Sequence, residues 1–186
     1  MDSWLRDRIS RLICMLIPEA VLTADGYVDY NRLMDIYVEF RNLLKSLNAH
    51  EANYAVCGGF AVAFHGYVRA TKDIDLLVHH DNIDSLVAIA VECGFDPCDD
   101  LLRFGIGTER ETAIKRLNKF VGNDFLTLDL ILVNSQTESA WRTRLEVALP
   151  DQNMQVVSLA GLATMKRLAG RTQDLLDLEK LGLNES

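Results

Sequence analysis

The chain has 186 residues, 49% of them hydrophobic and 25% charged. That composition belongs to an ordinary soluble globular domain and excludes collagen-like, low-complexity and disordered chains. A formal net charge of −8 and a pI of about 4.9 argue against broad, non-specific binding to nucleic acid, which needs cationic surface. They leave room for a local basic patch drawn from Arg69, Lys72, Lys115, Arg116, Lys119, Lys166, Arg167 and Arg171.

Residues 3–17 predict an amphipathic helix. Leu5, Ile9, Leu12, Ile13 and Leu16 recur at helical spacing, and Pro18 ends the run. The apolar stretch is too short to span a bilayer, and no clean leader-cleavage site follows it. The expectation is a cytoplasmic protein without membrane partners. A turn at 24–27 leads to a second helix over 29–48, with an apolar stripe of Leu33, Ile36, Tyr37, Phe40, Leu43, Leu44 and Leu47. Residues 1–50 thus read as a helical arm, and 51–186 as the main domain, the two able to pack as one. Cys14, Cys57, Cys93 and Cys98 read as free thiols, since the C-x4-C pair lacks a second pair to complete a zinc site.

A short strand at 54–57 runs into Gly58-Gly59 and a two-turn helix. A strand follows at about 73–79, then a helix capped by Asp81 and running to about Cys93. Strands at 101–107 and 113–120 have the weaker pattern, and 125–133 the strong one. A helix around 137–147, a strand at 154–158, a helix capped by Ser158 and punctuated by Gly170, and a last helix at 172–181 complete the order. The alternation predicts an α/β or α+β domain around a central mixed sheet.

The informative anomaly is RATKDIDLLV, residues 69–78. Asp is depleted in strands, and a buried, unpaired carboxylate is costly. Alternation puts Asp73 and Asp75 together on the face opposite Ile74, Leu76 and Val78. In LTLDLILV, Asp129 likewise lies opposite Leu126, Leu128, Leu130 and Leu132. If the two strands are neighbours, three carboxylates converge. Carboxylate oxygens suit Mg²⁺ or Mn²⁺, and three can hold two ions for in-line attack on a phosphate. Gly58-Gly59 at a helix start offers a backbone cradle for an anion.

The order CGGFAVAFHG, RATKDIDLLV, LDLILV and VSLAGLATMKRLAGRTQDLLDLEKL resembles the nucleotidyltransferase superfamily that includes DNA polymerase beta. Within it, the chain looks most like the small bacterial abortive-infection toxin and antibiotic-modifying type. The resemblance covers about Tyr54 to Leu181. It implies the nucleotidyltransferase fold and Mg²⁺- or Mn²⁺-dependent transfer of a nucleoside monophosphate from an NTP such as ATP to an acceptor hydroxyl. The acceptor would be RNA, protein or a small molecule such as an antibiotic. By the same resemblance, Asp73, Asp75 and Asp129 hold the metal ions, Asp129 also helping to deprotonate the acceptor. Gly58, Gly59, Arg69, Thr71, Lys72 and Lys166 contact the nucleotide. A homodimer partner or a cognate antitoxin belongs to the same expectation. One departure is Gly59, where many members carry a serine that touches phosphate. Asp174 and Asp177, one helical turn apart, read as structural partners for Arg171 or Lys166. The competing reading is a non-catalytic nucleotide- or partner-binding module that retains the fold.

Overall fold

A computed structural model describes residues 36–108, 110–121 and 124–183, with the side chains of 99 and 121 excepted. The expected helix at 3–17, the turn at 24–27 and the start of the second helix lie outside the described residues. The elements in chain order are α1 (Ile36–Ala49), β1 (Ala55–Val56), α2 (Gly58–Phe64), β2 (Asp73–Val78), α3 (Ile83–Glu92), β3 (Asp96–Phe104), β4 (Thr112–Val121) and β5 (Asp124–Leu132). They continue as α4 (Glu138–Arg142), β6 (Leu145–Ala148), β7 (Asn153–Val156), α5 (Leu159–Ala169) and α6 (Thr172–Lys180).

The strands form one mixed sheet in the order β3-β4-β5-β2-β1-β7-β6. β2 pairs parallel with β5 and antiparallel with β1, while β4 pairs antiparallel with β5. β2 therefore lies in the interior of the sheet. Ile74, Leu76, Leu77 and Val78 on it are fully buried, which leaves Asp73 and Asp75 as its half-buried polar positions. α1 packs on α3, β2 and β7, and α2 on β2 and α5. The apolar stripe of α1 does enter the common core: Phe40, Leu43, Leu44 and Leu47 are buried, and the Phe40 ring stacks on Phe60 of α2 at 4.0 Å.

The α5 ends form as their sequence predicts. The Ser158 hydroxyl accepts a hydrogen bond from the Gly161 amide, and Gly170 adopts the left-handed conformation that stops the helix. Two helix expectations need correction, and the strand expected at 101–107 is β3, which runs earlier over Asp96–Phe104. The helix expected at 137–147 is only the short α4, because Leu145–Ala148 instead pairs antiparallel with β7 at the sheet edge. Asp81 does not cap α3. A single 3₁₀ turn at His80–Asn82 intervenes, and Asn82 at the cap makes no side-chain bond.

Candidate active site

Register brings the strand-borne charges into one row. Asp75 of β2 lies directly across from Asp129 of β5, and Asp129 lies across from Arg116 of β4. One row further toward the start of β2, Asp73 faces Thr127, and Thr127 faces Asn118. The neighbouring-strand condition set by the sequence is thus met, and all three carboxylates stand on one face. On the other side of Asp75 the row ends at Cys57, whose amide donates to the Asp75 carbonyl at 2.9 Å.

The electrostatics are those of crowded negative charge. Burial first, then the charges of Asp73 and Asp129, push Asp75 from its ordinary 3.8 up to about 7. The charges of Arg171 and Lys166 oppose that rise. Burial, and then the Asp75 charge, push the Cys57 thiol well above its usual range, so it stays protonated and inert. Asp129 is only 5% exposed, and its charge is met by a two-pronged bond. Arg116 Nε donates to Oδ1 at 2.8 Å and an Arg116 terminal nitrogen to Oδ2 at 2.7 Å. Among the described residues, no three His, Cys, Asp or Glu side chains are gathered into a ready-made metal group. The three carboxylates share a face and a field without closing on one point.

The glycine pair is fitted to this face. Gly58 has φ +57, and a Cβ there would sit 1.8 Å from Asp75 Oδ2. The carboxylate occupies the space a side chain would need. At Gly59 a Cβ would meet Thr71 Oγ1 at 2.5 Å. The absence of a serine at 59 therefore has a steric cause: Thr71 places its own hydroxyl there, within 3.5 Å of Asp73 Oδ1. Gly58→Ala is expected to displace Asp75 and to lower stability by about 1–3 kcal/mol, from left-handed strain plus the collision. Urea denaturation of the variant checks this; an unchanged midpoint would mean that Asp75 has room to move aside.

The remaining expected nucleotide contacts divide. Lys72 is exposed beside the carboxylates, its amide donating to Asp73 Oδ1 at 3.2 Å. Arg69 instead grips both oxygens of Asp177 at 2.8 and 2.9 Å. Lys166 is 4% exposed and lies between Asp174 at 3.0 Å and Asp177 at 2.7 Å. Arg171 closes the network on Asp174 at 2.7 Å. These pairs hold α6 against α5 and the segment before β2, which is the structural role read for Asp174 and Asp177. The wider basic patch does not gather. Lys115 and Lys119 alternate to the face of β4 opposite Arg116, Lys119 pairing with Glu39 at 2.7 Å.

Arg116 is the residue whose place in the site the sequence leaves unmarked. Its signal is its alternation with Leu117 in AIKRLNKF, and that signal becomes readable only once the β4–β5 register is known.

No helix of the described residues is long and apolar enough to cross a membrane. No family model matches the sequence, and no curated protein matches it. The fold does have solved counterparts. A Thermotoga maritima protein described as a candidate nucleotidyltransferase shares 12% identity, over 83% of this chain and 97% of its own, with a TM-score of 0.54. ANT(2'')-Ia, crystallised with adenylyl-2''-tobramycin, shares 13% identity over 76% of this chain and 84% of its own, with a TM-score of 0.52.

Proposed function

We propose, for a chain with the nucleotidyltransferase fold, that the carboxylate face is a metal-dependent nucleotidyl-transfer site. One observation carries the reading: Asp75 and Asp129 are register partners on adjacent strands, with Asp73 two residues before Asp75 on the same face. The donor set fits Mg²⁺ or Mn²⁺. It is all oxygen, burial and then the charges of Asp73 and Asp129 raise Asp75 to about 7, and Gly58 leaves the space that the Asp75 carboxylate fills.

Asp73 and Asp75 would hold the metal, with Asp129 joining them and accepting the acceptor's proton. The bound ion would neutralise phosphate charge and draw the reacting oxygens together. Gly58, Gly59, Thr71 and Lys72 form the side of the site suited to the triphosphate, the glycine amides and the Thr71 hydroxyl as donors and Lys72 as the exposed cation. Arg69 and Lys166 act on the nucleotide through the site's potential, since α6 takes up their charges. The rest of the catalytic work is positioning and charge neutralisation.

The acceptor is RNA, protein or a small hydroxylated molecule such as an antibiotic. A toxin-like protein, paired with a cognate antitoxin or with a second copy of itself, and a resistance-like enzyme are the two forms this reading takes. Incubating the protein with Mg²⁺ and each α-labelled NTP tests it, using cellular RNA, protein extract, aminoglycosides and lincosamides as acceptors. Label moving to one class, and stopping when EDTA is added, is the expected result. Metal-dependent NTP binding with no transfer to any class would favour a non-catalytic binding module. The Arg116 bond to Asp129 is the observation on that side.

A further inference from the structure

We infer that Arg116 is a cation gate on Asp129: a divalent ion reaches that carboxylate only by displacing the guanidinium, and the displaced guanidinium then turns to the nucleotide's phosphates. The inference rests on the proposed metal-dependent reading of the site. It goes beyond that reading by giving the chain its own competitor for the metal.

Both Asp129 oxygens are already engaged, at 2.8 and 2.7 Å, so an ion cannot use them while the bond stands. The pairing is set by backbone register, because Arg116 and Asp129 face each other across β4 and β5. The partners differ in freedom. The Arg116 side chain is 39% exposed and that of Asp129 only 7%, so the arginine can swing into solvent while the aspartate stays. Of the other cations near the carboxylates, Lys166 and Arg171 are bonded to Asp174 and Asp177, and Lys72 is exposed beside Asp73. Among the described residues, Arg116 is the cation bonded to Asp129.

A two-pronged, charge-assisted bond to a buried carboxylate is strong enough to matter. Its loss is expected to tighten metal binding by about ten- to a hundredfold. The same geometry couples the ligands. A triphosphate that attracts the guanidinium frees Asp129 for metal, so each ligand strengthens the other's binding.

The test is a Mn²⁺ titration followed by the electron paramagnetic resonance of free Mn²⁺. Wild type, Arg116→Gln and Arg116→Lys would be compared with and without a non-hydrolysable NTP analogue. The Gln variant is expected to bind Mn²⁺ at least about tenfold tighter than wild type without nucleotide. The Lys variant, which cannot reproduce the two-pronged bond, should fall between them, and the gap should narrow when the analogue is present. A Gln variant that binds no tighter, while wild type binds Mn²⁺ with the analogue, overturns the gate and leaves the proposed function standing. No Mn²⁺ binding by any of the three, even with the analogue, overturns both. If the Gln variant does not fold, the Lys variant decides alone, and affinity equal to or below that of wild type overturns the gate.

Discussion

Asp75→Asn is expected to abolish nucleotidyl transfer, by at least about 10²- to 10³-fold, and yet to melt at a higher temperature than wild type above pH 7. The two effects have one cause. Asp75 is half-buried, with Asp73 and Asp129 acting on it through space, and burial first, then those charges, raise it from 3.8 to about 7. Its ionised form is therefore disfavoured in the folded state. A group raised on folding contributes stability that is complete below the unfolded value and lost as pH rises through the folded one. Metal-free wild type should weaken between about pH 4 and pH 7, while the amide, which carries no charge, should show no such decline. The difference should reach the order of 1–3 kcal/mol, or a melting shift of about 3–8 °C for a chain of this size. Millimolar Mg²⁺ should raise the melting point of wild type and leave the variant where it is. Differential scanning calorimetry from pH 5 to pH 8.5, with Mg²⁺ and with EDTA, measures all of this. A variant less stable than wild type at pH 8 without metal would show that Asp75 is held by bonds and is not strained by its neighbours. A variant that retains transfer would remove it from the chemistry.

The second large effect is expected in the ion-pair network that α6 makes with Arg69 and Lys166. Asp177→Asn should cost about 3–5 kcal/mol, as breaking a buried ion pair does. Asp177 is wholly buried and serves two cations. It takes Arg69 through both oxygens and Lys166 at 2.7 Å, while Gln173 donates to it at 2.9 Å. Burial alone would raise its carboxyl, but the bonds from Arg69, Lys166 and Gln173 outweigh that and bring it down from 3.8 to about 2. Here the sign is reversed. Stability from a lowered carboxyl is present above the unfolded value and lost as pH falls through the folded one. The gap between wild type and variant should be full at pH 7 and should close between about pH 4 and pH 2. Urea denaturation at pH 7 and at pH 2.5 gives both numbers. A loss below about 1 kcal/mol at pH 7 would place the network among the weak surface pairs.

The parts of the molecule legible in the sequence are those decided by local pattern. β2 and β5 announce themselves by dense apolar runs broken by aspartate, at alternate positions 73 and 75 in β2 and once, at Asp129, in β5, and α5 by a serine at one end and a glycine at the other. Their adjacency is left open by the sequence, and the parallel register that sets Asp75 against Asp129 supplies it. What stays hidden depends on partners distant in the chain. Leu145–Ala148 has a helix-compatible pattern and becomes a strand because β7 offers it an edge. β3 begins earlier than its apolar residues suggest and breaks register between Pro97 and Leu101, which blurs the alternation a strand would show. Arg116 reads as one cation among several until β4 is set against β5. Arg69 and Lys166 resemble phosphate ligands because nothing local reveals that α6 brings two buried aspartates to meet them.

The bond from Arg69 to Asp177 spans 108 residues of chain, and β1 pairs with β7, Val56 with Val156. Contacts so distant in sequence form slowly, since much of the chain must be ordered before they close. On the ribosome, the strand bearing Asp73 and Asp75 emerges long before the helix whose aspartates fix the nearby cations. A nascent chain lacking α6 holds the carboxylates without Lys166 and Arg171 fixed nearby, and holds Arg69 without its anchor. The carboxylate face is therefore completed last, once synthesis has passed residue 177 and α6 can dock.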